Sequence, residues 1–456
     1  MTDVATDVAI RTRLRSPTKT PGRFASATLV ALGLCLGLGA CSDSSSSVAQ
    51  PAATAPKTSV ETSVETSAAT SVEETLRLQL ASAKSGDVIE IPAGTHDISR
   101  SLVMNASGVT IRGAGSGRGS NDTILSFKNQ LAGAEGLLLA GSNLTIENLA
   151  IEDAKGDGLK ITDGSNIVIR AVRAEWTNGP DTKNGAYGIY PVQTENLLVE
   201  DTVAIGASDA GIYVGQSKNI VVRNNIARDN VAGIEIENST DADVYGNLAE
   251  NNTGGILVFN MPDIPLKGSR TRVYNNDVRT NNLKNFAAPG TAVSGVPTGT
   301  GVIVNSNDEV EIFENRISGN ATANIILSSY FSANYASSRT TAAEFDPYPE
   351  SIYVYDNVFA PGGNKPAMAD LDNLRVALFG AEGAFPDVIW DGARNPELLT
   401  DGKLTDNQRI CINNGDAVLL NVDSLNAGAG ATMSMDNHRC DLPKLPAVDL
   451  GELAAG

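Results

Sequence analysis

Histidine is nearly absent from this 456-residue chain: only His96 and His438 occur. Imidazole chemistry therefore has almost nothing to work with. His96 falls in an early turn and His438 lies beside Cys440, so both are expected to be structural or surface residues. There are four cysteines but no Cys-x-x-Cys, which excludes covalent haem attachment and argues against a thiolate metal site. No glycine loop opens a helix to hold a phosphate, because Gly113 to Gly119 reads as a turn after a strand. Positive charge is also scarce. The formal net charge of −19 repels nucleic acid and anionic membrane surfaces. Residues 24–40 form an apolar run, but it is too short and too glycine-rich to span a bilayer.

That run has a different meaning. Arg11, Arg13, Arg15, Lys19 and Arg23 precede it, and small residues close it. A basic segment, a short apolar segment and small residues at a cut describe an export signal. Leu38-Gly39-Ala40-Cys41 resembles a bacterial lipobox, which implies a lipidated Cys41 at the start of the mature chain. By the same resemblance, Ser42 after it favours outer-membrane sorting, on the periplasmic or cell-surface side. Contact with the membrane is then expected only through the acyl anchor. Removing residues 1–40, with five basic and two acidic side chains, takes the net charge from −19 to −22. Residues 41–75 are low in complexity and lack aromatics, so they are expected to form a disordered tether of about 30–35 Å. Of the remaining cysteines, Cys411 and Cys440 are expected to pair in an exported protein.

From Gly136 the chain repeats. A small residue followed by apolar–any–apolar recurs at Gly158, Gly188, Gly211, Gly233 and Gly255, in steps of 22, 30, 23, 22 and 22 residues. The next anchor, Gly301, is 46 residues on, which leaves room for two units or for one with a long loop. A second strand follows each anchor by about eight residues, as in Asn166-Ile167-Val168-Ile169. Alternation within each unit has period 2, so the units are strands, and the fixed period makes them a stack. Residues 76–360 resemble the right-handed parallel β-helix proteins of the pectate-lyase-like superfamily. The fold class implied is all-β: a single-stranded right-handed parallel β-helix of ~22 residues per coil. The resemblance implies a helix, read from Leu76 to Gly86, covering the N-terminal end. Residues 361–456 are expected to form a C-terminal cap stapled by the disulfide.

Aligning the second strands gives three columns. Ile146, Ile169, Val199, Val222, Val244, Val273, Ile312 and Val354 should point inward as core. The outward column alternates Glu147, Arg170, Glu200 and Arg223, then turns to Tyr245, Tyr274, Phe313 and Tyr355. The charges read as ion pairs and the rings as lateral stacking beneath a covering loop, although such a stripe could also carry sugar rings. The third column, Asn225, Asn247, Asn276, Asn315 and Asn357, is expected to stack its amides and to supply left-handed corners.

The anchor strands give another outward column: Lys160, Tyr190, Tyr213, Glu235, Leu257 and Ile303. The step between Gly158 and Gly188 inserts residues 176–185, and loops that interrupt a stack often wall its binding face. The candidate site is therefore a groove floored by Lys160, Tyr190, Tyr213 and Glu235 and walled by that loop, with Trp176 as a further binding residue. Candidate catalytic residues are Lys160, Glu235 and Asp209. Asp157 and Asp181 are candidates for a calcium ion, the one cofactor considered. The catalytic patterns of related families are missing: there is no Gly-His-Gly of the polygalacturonase type and no Asp-Pro-His-Asp of the epimerase type. With so few histidines, resemblance to the β-helix copper-maturation proteins is weak. The chain also resembles the exported β-helix-repeat lipoproteins, which have no settled activity. The expected role is binding of an extended polysaccharide or an envelope protein along the outer face. The alternative is a uronate polysaccharide lyase or epimerase using Lys160 as base.

Overall fold

The structure is a computed structural model that describes residues 71–332 and 341–455. The expected export signal, Cys41 and most of the expected tether lie outside the described residues. The described chain belongs to one compact unit, Ala68–Gly456.

The unit is a right-handed parallel β-helix. Each regular coil contributes three strands, as in Ala232–Glu237, Thr240–Tyr245 and Leu248–Glu250. The anchor strands stack into one parallel sheet of 11 strands. The second and third strands stack along the other faces, and the long strands Leu144–Glu152 and Ser165–Glu175 join those two columns. The 46-residue step holds one coil: Gly254–Phe259 pairs directly with Thr300–Asn305. The excess chain leaves as loops at residues 260–268 and 283–299.

The inward column is as expected, and Ile169, Val199, Val222 and Val244 are fully buried. Helix α1 (Val72–Ser82) closes the N-terminal end with Leu76 and Leu80 buried. It starts earlier than the sequence suggested. Ser71 caps it by accepting a hydrogen bond from the Glu74 amide, so the last residues assigned to the tether form its first turn. The C-terminal boundary also moves. Val388–Trp390, Ile410–Asn413 and Leu419–Asn421 continue the parallel ladders past residue 360. Helix α2 (Ala369–Phe379) lies within one of the insertions there.

The asparagine column is a ladder of buried amides. Each Nδ2 donates to the Oδ1 of the next coil's asparagine, from Asn225 through Asn247, Asn276, Asn315 and Asn357 to Asn414, at 2.9–3.0 Å. Each Oδ1 also accepts the preceding asparagine's backbone N–H. The expected left-handed corner falls one residue earlier, at Asn224, Asn275, Glu314 and Asp356. The ladder asparagines are free to turn inward because the preceding residue makes the corner. A second ladder, Asn230–Asn252–Asn281–Asn320, runs beside the stacked third strands.

The outward column of the second sheet is structural. Arg112 pairs with Glu147, and Glu200 bridges Arg170 and Arg223 at 2.5 and 2.6 Å. Tyr245, Tyr274, Phe313 and Tyr355 stack with centroids 4.8 Å apart. The covering segment is the C-terminal tail. Cys411 and Cys440 form the expected disulfide. Beyond it, Leu442 packs on Phe313, Tyr353 and Tyr355, and Leu450 packs on Val168, Leu198 and Val221. The tail thus straps the face from late coils back to early ones, and the aromatic stripe is not a free sugar platform.

Candidate functional site

Parallel register places the anchor-sheet column as the sequence implied. Tyr190 pairs with Lys160, Tyr213 with Glu235, and Glu235 with Leu257. Tyr187, one of the same strand's outward residues, was not foreseen. It joins Tyr190 and Tyr213 in a three-ring cluster with centroids 4.5–4.9 Å apart. The Tyr213 hydroxyl donates to Glu237 Oε1 at 2.6 Å. Gly215 makes room for this ring: a Cβ there would lie 2.4 Å from Tyr213 atoms.

The site has an inner and an outer part. Tyr213 is 4% exposed and Glu235 1% exposed, so neither is an open groove floor. The reason is the 283–299 loop. Its Val293 and Val296 pack on Leu257, Phe259 and Ile303, and that apolar cluster continues to Tyr213. Glu235 lies near Asp209 and Glu237, and its buried Oε2 has no hydrogen-bond partner. Burial first, and the two neighbouring carboxylates second, hold the Glu235 carboxyl well above the usual range. Burial first, and then Asp209 at Tyr187 and Glu237 at Tyr213, push those two phenols up as well.

The outer part is Asp157, Lys160 and Tyr190, all partly exposed. The Lys160 ammonium is 4.5 Å from the Tyr190 ring centroid and 3.7 Å from Asp157 Oδ2. Asp157 Oδ1 also accepts the Tyr187 amide at 3.3 Å. Burial pushes the Asp157 carboxyl up to about 6, against the opposing pull of Lys160. Asp157 can therefore exchange a proton near neutral pH beside a fixed ammonium.

Trp176 does not wall this site. It is 5% exposed, and its Nε1 donates to the Ala154 carbonyl at 2.7 Å, which pins the inserted loop to the coil beneath. Asp181 is exposed, and its carboxylate accepts the Lys183 amide within the same loop. Among the described residues, neither Asp157 nor Asp181 belongs to a cluster of three metal-ligating side chains; such a cluster forms elsewhere, at Asp308, Asp346 and Glu350.

A cavity of about 440 Å³ opens further along the anchor sheet, beyond the covering loop. Val296, Ile326, Leu371, Leu374 and Ile389 give it an apolar lining. Besides the anchor strands, its lining includes residues from 292–297, 368–374 and 424–428, and no repeat pattern marks those stretches.

Residues 107–268 match the family model described as a right handed beta helix region. That span holds both parts of the site. No curated protein matches the chain. Among solved structures it is similar to the A-module of the Azotobacter vinelandii mannuronan C-5 epimerase AlgE4, at 18% identity and a TM-score of 0.40, over 62% of this chain and 81% of that one. It is also similar to the DFA-IIIase of Arthrobacter chlorophenolicus A6, at 11% identity and a TM-score of 0.38, over 72% and 73%.

Proposed function

We propose that this protein binds an extended, uronate-bearing polysaccharide on the outward face of its anchor sheet, with Lys160 and Tyr190 as the point of contact. The observation that carries this is the partly exposed Lys160 ammonium seated over the Tyr190 ring. Together they offer a carboxylate partner and a flat apolar surface, backed by the rigid Tyr187–Tyr213 cluster. Parallel strands repeat along the axis about every 4.8 Å, which suits a polymer lying along the stack. The N-terminal signal and Cys41 support the same protein acting as an exported, lipid-anchored component of the outer membrane.

A second reading, a uronate lyase or epimerase, is favoured by the Asp157 carboxyl near pH 6 beside Lys160. In elimination a base takes the proton α to the uronate carboxylate, and the glycosidic oxygen leaves to form an unsaturated sugar. Lys160 in its neutral form would be that base, and Asp157 in its protonated form would give a proton to the leaving oxygen. Incubation with uronate polysaccharides separates the two readings: unsaturated product that disappears in Lys160→Ala would establish the second.

For binding, Lys160→Ala and Tyr190→Ala should each weaken retention on a uronate glycan array by about tenfold or more, equivalent to the ~1.4 kcal/mol of one charge-assisted or stacking contact. Trp176→Phe, away from the contact, should leave retention unchanged. The site should also respond to pH. Below about 6 Asp157 takes up a proton and releases Lys160 for the polymer's carboxylates. Retention should therefore rise as pH falls from 7 to 5, and Asp157→Asn should flatten the profile. Stability carries the same sign. The folded carboxyl holds its proton to about 6 against an ordinary 3.8, so this site's contribution to stability falls as pH rises through that window.

A further inference from the structure

At the turn from the anchor sheet to the second sheet, three carboxylates meet. One oxygen from each of Asp308, Asp346 and Glu350 lies within 4.8 Å of the other two. Asp308 opens the strand Asp308–Phe313. Asp346 and Glu350 lie in the chain leading to the next second-sheet strand, Ile352–Tyr355. The Glu350 amide donates to Asp308 Oδ1 at 3.0 Å, so the backbone already ties the two segments together.

The cluster is short of positive charge. Lys267 Nζ is 2.6 Å from Asp308 and 3.5 Å from Asp346. Lys267 pairs with Asp308 and Asp346 and leaves Glu350 without a counter-charge of its own, and the Lys267 side chain is 42% exposed. Glu350 is the group left over. It is 4% exposed, and its Oε1 is buried without a hydrogen-bond partner. A buried, unpaired carboxylate is costly, so it calls for a proton or a cation.

The surroundings select the kind of cation. Ser269, Ser351 and Gln408 line the same cavity of about 440 Å³, so its ligand atoms are oxygens. Hard oxygen donors with room for water suit calcium-like ions and not thiophilic metals. We propose that Asp308, Asp346 and Glu350 form a hard divalent-cation site, in which the ion takes the place of Lys267 and fastens residues 341–351 to the solenoid. This site is separate from the Lys160–Tyr190 face and does not depend on its function.

The test is calorimetric titration of the chelator-treated full chain with calcium chloride, with magnesium chloride and sodium chloride as comparisons, together with thermal unfolding. One calcium should bind per chain, with Kd between about 10⁻⁶ and 10⁻³ M, and should raise the unfolding temperature. Glu350→Gln should weaken binding at least tenfold. Asp346→Asn, at a less buried ligand, should do the same and serves if the first variant fails to fold. Lys267→Gln should tighten binding several-fold, because a competing positive charge is gone. No binding to the parent chain, or equal binding in Asp346→Asn, would overturn the proposal. A Lys267→Gln chain that binds no calcium and melts lower would also overturn it, making Lys267 the permanent counter-charge.

Discussion

Asn276→Ala is expected to lower the free energy of unfolding by about 4 kcal/mol, from two or more buried polar groups each losing a partner at ~1–3 kcal/mol. Asn276 sits mid-ladder. Its Oδ1 accepts both the Asn247 amide N–H and Asn247 Nδ2, and its Nδ2 donates to Val244 O and Asn315 Oδ1. All of these groups are buried, so water cannot replace the missing amide. Alanine would leave the buried Asn247 N–H without its acceptor and Val244 O without the Nδ2 donor, and would leave Asn247 Nδ2 and Asn315 Oδ1 each one partner short. Urea unfolding should show a lower midpoint with an unchanged slope. Asn196→Ala is the contrast. Asn196 belongs to a part-exposed amide chain with Asn166 and Asn219, where water can substitute, and about 1 kcal/mol is expected. Equal losses at both positions would mean that burial does not give the inner ladder its weight.

Replacing both Cys411 and Cys440 by serine is expected to cost about 3 kcal/mol, from the loop-closure entropy of roughly 30 residues. The two cysteines are 29 residues apart. Cys411 lies in the last second-sheet strand, paired with Tyr353. Cys440 starts the strap. Without the bond the strap keeps its non-covalent contacts, among them the Tyr353 hydroxyl and Asn413 Nδ2 donating to Asp441 Oδ1, Lys444 over the Tyr355 ring, Leu442 on the aromatic ladder, the Val448 amide to Asp243 Oδ2 at 3.2 Å, and Leu450 on the early coils. Protease cleavage within residues 441–455 should therefore accelerate in the variant and in reductant-treated parent protein. Unchanged cleavage would show that packing alone holds the strap.

The solenoid was legible because its physics is local and periodic. An inward residue such as Val222 needs only the alternation of its own strand, and the Asn276 column needs only the period. The last coil was not legible, because its strands at 388–390, 410–413 and 419–421 are separated by insertions that erase the period. The anchor column was read in correct register, but the accessibility of Tyr213 and Glu235 was not. Burial there depends on where residues 283–299 fold back, and nothing in the repeat specifies that. Trp176 illustrates the same limit. Its position in an inserted loop suggested display, whereas the Ala154 carbonyl and the need to bury an indole drew it inward. Glu350 lies 42 residues from Asp308, in a stretch with no repeat anchor, so only the folded chain brings the two together.

The most direct measurement is affinity for uronate oligosaccharides of increasing length, for the parent protein and for Tyr190→Ala. A polymer lying along the stack should bind more tightly with each added sugar until the contact face is filled, and Tyr190→Ala should lose most of that affinity. Affinity that is independent of length, or unchanged by Tyr190→Ala, would contradict a polysaccharide site on the anchor sheet.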